Sequence, residues 1–167
     1  EIFNRPAKGN KLPYSFFAIH TAWGDRTDAR VLEAKRTPDF DRARGYHPQQ
    51  VMGLPRFASS RMKTAFPFAQ VDFEEESLPV SVSLEAFVPF IPLNEEDSGI
   101  PAAVFRYRVK NTGSMAAKVL IAASMPNIYG YRGFDCFNNY QPFEGRENIP
   151  VQETGISGVW MTGGGLA

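Results

Sequence analysis

The sequence predicts an all-β fold, a two-sheet antiparallel β-sandwich with long loops. Apolar residues recur at every second position in several short runs, and clusters of Gly, Pro, Asn and Asp separate those runs. No segment carries the apolar stripe of an amphipathic helix of three turns, which argues against a parallel α/β sheet.

Taken in order, Ser15 to Trp23 sets Phe17, Ile19, Thr21 and Trp23 on one side, and Ala29 to Glu33 follows after Gly24-Asp25. Together they predict a hairpin. Arg36 to Ser60 is rich in Pro, Gly, Arg and Gln and reads as a long excursion. Phe66 to Phe73 is a strand candidate with Pro67 near its start. The clearest alternation is Val80, Val82, Leu84, Ala86 and Val88 against Ser81, Ser83 and Glu85. It returns at Ala103, Phe105, Tyr107 and Val109, opposite Arg106, Arg108 and Lys110, and again with Ala117, Val119, Ile121 and Ala123 inward. Asn111-Thr112-Gly113-Ser114 joins the last two runs and predicts an antiparallel hairpin between them. Pro89 to Pro101 holds three prolines, which forbid a central strand or a helix interior and predict an ordered crossing loop. Met125 to Glu147 shows no clear period, and Val151 to Thr162 returns to strand-like sequence.

The chain has 167 residues, enough for one domain with a real core, so 1–167 is read as a single sandwich. Apolar residues make up 43%, which predicts collapse rather than disorder. Eighteen basic residues balance eighteen acidic ones, so the diffuse positive field of a nucleic-acid binder is missing. No apolar run approaches the roughly 20 residues that cross a bilayer as a helix. Cys136 is the only cysteine, which excludes an intrachain disulfide and fits a reducing, cytoplasmic compartment. The start, Glu1-Ile2-Phe3-Asn4-Arg5-Pro6, is neither an initiator methionine nor a signal peptide, and the end runs into Gly163-Gly164-Gly165. Both ends read as cuts in a longer chain.

Residues with catalytic potential are few. A Ser-His-Asp triad would need His20, mid-strand, or His47, in a Gly-Tyr-His-Pro loop, and neither adjoins a nucleophile elbow. Cys136 has no flanking motif and reads as an incidental thiol. Glu74-Glu75-Glu76 and Glu95-Glu96-Asp97 lack the alternate oxygen ligands and glycine turn of a calcium loop, and read as solvated loop ends. Gly163-Gly164-Gly165 lacks the lysine and following helix of a phosphate loop, so no cofactor is expected. Aromatics reach 13%, and most of the phenylalanines are assigned to the core. Tyr129, Tyr131, Phe134, Phe137, Tyr140 and Phe143 differ, because they alternate with Arg132, Asp135, Asn138, Asn139 and Gln141. Such a loop suits a surface that meets a polar ligand or another domain.

Three stretches carry a resemblance. They are Glu1-Ile2-Phe3-Asn4, Leu12-Pro13-Tyr14-Ser15-Phe16-Phe17-Ala18 and, above all, Leu78 to Leu93, with its Leu84-Glu85-Ala86-Phe87-Val88-Pro89-Phe90-Ile91-Pro92 run, continued by Asp97 to Phe105 and Val109-Lys110-Asn111. With these the chain resembles the N-terminal domain of the non-lysosomal glucosylceramidase type of β-glucosidase, glycoside hydrolase family 116. The resemblance spans nearly all of the chain and is loosest across Arg36 to Ser60 and Asp135 to Gly145. It implies a sandwich packed on a C-terminal (α/α)6 barrel, with that catalytic domain as partner and a β-glucoside or glucosylceramide-like lipid as the substrate reached through it. It also implies retaining chemistry by a glutamate nucleophile and an aspartate acid/base in the barrel. Neither catalytic motif occurs in these residues, so no catalytic or metal residue is assigned here. Glu85, opposite the valines, is given a structural or interdomain role. Phe90, Ile91 and Leu93, locked among prolines, are expected to dock on the barrel with Tyr129, Tyr131 and Phe134. The alternative is a stand-alone carbohydrate-binding or adhesion sandwich. An immunoglobulin-like module is disfavoured because the Cys…Trp…Cys spacing is absent.

Overall fold

Period-two alternation is realised as ten strands and one single-turn helix among the described residues. The structure, a computed structural model, describes residues 15–35, 54–127, 129 and 145–163. The strands are β1 (Phe16–Trp23), β2 (Arg26–Ala34), β3 (Arg56–Phe57), β4 (Ser59–Ala65), β5 (Phe68–Glu74), β6 (Val80–Phe87), β7 (Val104–Asn111), β8 (Ala117–Ser124), β9 (Arg146–Glu153) and β10 (Ile156–Gly163). The helix α1 spans Glu95–Ser98.

Two four-stranded sheets, ordered β3-β2-β1-β8 and β4-β5-β6-β7, pack as a β-sandwich. Every recorded pairing in them is antiparallel except β2 with β3, which is parallel. β1 and β2 form the expected hairpin, with Trp23 opposite Arg26 and Gly24 at φ +52 in the two-residue loop. That backbone conformation is cheap for glycine. One core cluster joins Ile19, Leu32 and Phe57 of the first sheet to Phe73, Val80 and Val82 of the second, with Leu78 from the loop before β6. Phe17, Trp23, Leu84, Tyr107, Val109, Ala117 and Ile121 pack against it. The inward faces expected for β1, β6 and β7 are therefore the observed ones.

The chain falls into two compact units. The larger holds most of both sheets, through Ala122, and the smaller contains 123–167 with β9 and β10.

Several expectations need correction. β7 and β8 are not a hairpin: β7 pairs with β6, whereas β8 lies beside β1 in the other sheet. Asn111 to Ser114 is an arch between sheets because its donors are committed elsewhere. The amides of Thr112 and Gly113 donate to the Pro79 carbonyl at 2.8 and 3.1 Å, and Asn111 Nδ2 donates to the Met115 carbonyl at 2.8 Å. Gly113 is needed there for closeness rather than for positive φ, since an added Cβ would lie 3.0 Å from the Pro79 Cβ. Along β8 only Ala117 and Ile121 reach the core, while Val119 and Ala123 are exposed. Val88 and Ala103 fall outside β6 and β7. Phe66 and Pro67 form the turn before β5 instead of its first residues. The excursion from Arg36 to Ser60 contains β3, whose Phe57 is wholly buried, and the start of β4. Val151 to Thr162 is strand-like as expected, and Thr154-Gly155, with φ +81 at the glycine, folds it into the β9–β10 hairpin.

Candidate docking surface and the family

Alternation along β5, β6 and β7 sets Phe68, Phe87 and Val104 in one cross-strand row at the end of the second sheet. The Phe68 and Phe87 rings lie 5.4 Å apart, and the Arg106 guanidinium sits 5.8 Å from the Phe87 centroid. Arg106 is held by Glu85, its register partner, at 2.8 Å. This gives Glu85 a structural role on the face opposite the valines. Beside the row, Phe66 from the β4–β5 turn meets Phe90 edge-on at 4.9 Å. Phe66 is 79% exposed, and Phe68, Phe90 and Ile91 are exposed as well.

The loop carrying Phe90, Ile91 and Leu93 is tied down through its backbone. Ser98 Oγ donates to the Ile91 carbonyl and accepts from the Ile91 amide, both at 2.9 Å. Asn94 caps α1, with its Oδ1 accepting from the Asp97 amide at 3.0 Å. The acidic run Glu95-Glu96-Asp97 thus forms the first turn of a helix, where its negative charge is favourable. Leu93 is fully exposed and has φ 64, the left-handed region that a leucine adopts only at a cost. A large apolar side chain is presented to solvent in a conformation imposed by its neighbours.

The other predicted docking residues fare differently. Tyr129 is exposed in the smaller unit, its amide donating to Asn127 Oδ1 at 3.1 Å. Tyr131 and Phe134 lie outside the described residues, as do His47 and Cys136. His20 is exposed on β1.

Sequence reasoning missed Phe66, Phe68 and Phe87, because phenylalanines in alternating strands were assigned to the core. A signal was available: Phe68 and Phe87 share the parity of Gln70 and Glu85, the solvent face of their strands. Glu75 was also misread as a solvated loop end. Its side chain is only 12% accessible and bonds Arg30 of β2 at 2.9 Å, tying the connection after β5 to the opposite sheet. Arg30 also grips Asp28 through two nitrogens and donates to Ser77 Oγ and the Arg56 carbonyl. The Ser77 hydroxyl first, with Arg30 beside it, holds the Glu75 carboxyl below the usual carboxylate range. Among the described residues, no group of three or more His, Cys, Asp or Glu side chains is arranged to hold a metal ion.

A family model described as beta-glucosidase 2, glycosyl-hydrolase family 116 N-term, matches residues 1–166. This chain belongs to that family. As the N-terminal domain of a family 116 β-glucosidase, it implies a catalytic domain in the same chain. The exposed aromatic end of its second sheet is thus a surface on part of a hydrolase. No curated protein sequence matches the chain.

Proposed function

We propose that residues 1–167 form a non-catalytic sandwich that supports the catalytic domain of a retaining β-glucosidase or glucosylceramidase-like enzyme. It docks on that domain through Phe90, Ile91 and Leu93, flanked by Phe66. One observation carries the reading: Leu93 is fully exposed at φ 64 on a loop stiffened by three prolines, an Asn cap and the Ser98–Ile91 bonds. Preordered apolar side chains bind a neighbour without losing much conformational entropy. A glycosidase places two carboxyl groups about 5–5.5 Å apart across the scissile bond when it retains configuration. In this reading the catalytic domain supplies both, and β-glucosides are its substrates.

Phe90→Ser and Ile91→Ser test the docking. Each is expected to leave the melting temperature of the 167-residue chain within about 2 °C and to lower that of the full-length enzyme by several degrees. A sharp loss in the short chain would make these side chains core and end the docking assignment.

A further inference from the structure

We infer that the outer face of the second sheet binds a linear anionic polysaccharide, one whose sugar units carry carboxylates. This site is distinct from the docking residues Phe90, Ile91 and Leu93. Alternation turns one set of side chains of β4 to β7 away from the core, and the strand pairings align that set in rows. Phe68, Phe87 and Val104 make the end row. Next to it runs Lys63–Gln70–Glu85–Arg106, and then Arg61–Asp72–Ser83–Arg108. Ser81 and Lys110 continue the face on β6 and β7.

Cations occupy the two outer strands. Arg61 and Lys63 stand on β4, and Arg106, Arg108 and Lys110 on β7, all five exposed. Along each strand they recur about every 7 Å, and the two files run about 14 Å apart. Three carboxylates, Asp72, Glu74 and Glu85, share the face. Five against three leaves an excess of two positive charges on one face of a chain that is neutral overall. An excess of this sign draws anions to that face.

The middle of the face narrows the anion to a glycan. Glu85 is bound to Arg106 at 2.8 Å, and Asp72 accepts from Gln70 Nε2 at 2.9 Å, so both carboxylates are held between the cation files. A nucleic acid or a phospholipid surface presents an unbroken run of phosphates and would set like charge against them. A polyuronate brings hydroxyl donors as well as carboxylates. Its hydroxyls suit Asp72, Ser83 and Glu85, and its carboxylates suit the arginine forks and lysines on either side. Phe68 and Phe87 close one end with rings 5.4 Å apart, whose negative faces receive the C–H edges of a pyranose. Every one of these side chains rises from a paired strand, which leaves little backbone to order on binding.

Affinity electrophoresis of the full-length enzyme tests this, comparing gels that contain sodium polygalacturonate with ligand-free gels. Retardation is expected and should weaken as salt rises, while a neutral β-glucan at the same mass concentration leaves mobility unchanged. Arg108→Gln with Lys110→Gln, and in a second variant Arg61→Gln with Lys63→Gln, should each weaken binding about 5- to 10-fold. Both are expected to keep the parent's melting temperature and its hydrolysis of an aryl β-glucoside, because exposed cations contribute little to folding. Phe68→Ser should weaken binding without a change of charge. Lys118→Gln, on β8 of the other sheet, should leave it unaltered. Phe90→Ser, the docking variant, is expected to retain the retardation, so the two readings fail independently. Absence of retardation in the full-length enzyme would overturn the inference, as it would if another part of the polypeptide covered the face. Equal retardation by sodium polyphosphate, or tighter binding to phosphatidylserine vesicles than to polygalacturonate, would overturn it as well.

Discussion

At the scale of single residues, Leu93 and Glu75 show opposite uses of local cost. Leu93 accepts a left-handed backbone in the turn closed by the Asn94 amide on the Ile91 carbonyl at 3.1 Å, while keeping its side chain in water. Leu93→Asn is expected to stabilise the 167-residue chain by about 1 kcal/mol in urea unfolding, because asparagine tolerates that conformation. In the full-length enzyme the same change should destabilise, through the lost contact. Glu75 is instead repaid inside the molecule by Ser77 and Arg30. Its carboxyl is held below the ordinary range, so its contribution is present above the unfolded value of about 4.3 and is lost as pH falls through the folded one. Melting temperature should therefore drop more steeply between pH 5 and pH 3 (about one unit either side of the unfolded value) in the parent chain than in Glu75→Gln, which starts lower at neutral pH.

Among elements, the shortest strand holds the most buried large side chain. β3 has two residues, yet Phe57 is 0% exposed and packs at 5.3 Å, tilted by 49°, against Phe73 of the opposite sheet. Its backbone is fixed by bonds from the Val31 amide to the Pro55 carbonyl and from the Lys35 amide to the Phe57 carbonyl. Phe57→Ala is expected to cost about 3–5 kcal/mol in denaturant unfolding, the range for emptying a phenylalanine site in a core. An effect below about 1 kcal/mol would show that β3 is dispensable to the sandwich. β3 was invisible to pattern reading because period two needs four or more residues to register. β4 escaped for another reason: it is exposed along its whole length, so Ser59–Ala65 carries no inward apolar set.

For the whole molecule, the proposed function divides the labour between this domain and the catalytic one. The N-terminal domain of a family 116 β-glucosidase offers a preordered apolar surface, and the proposed chemistry lies elsewhere in the polypeptide. Full-length protein is expected to hydrolyse aryl β-glucosides, while the 167-residue chain shows no release above buffer. Turnover by the purified short chain would refute that division.

The sequence by itself determined the fold class, the inward faces of β1, β6 and β7, the first hairpin and the exposed proline-rich loop. Each follows from neighbours in the chain: alternation sets which side a residue faces, and proline and glycine set where the backbone turns. Family membership was likewise legible, in the run from Leu84 to Ala102. Only the tertiary structure decided that Asn111 to Ser114 crosses between sheets, that Glu75 reaches Arg30, and that Phe66 meets Phe90. Those outcomes depend on partners 24 to 45 positions away, such as the Phe90 ring for Phe66 or the Arg30 guanidinium for Glu75. A local pattern carries no information about which distant group will satisfy a donor or cover a ring, because that choice is made by how the sheets stack.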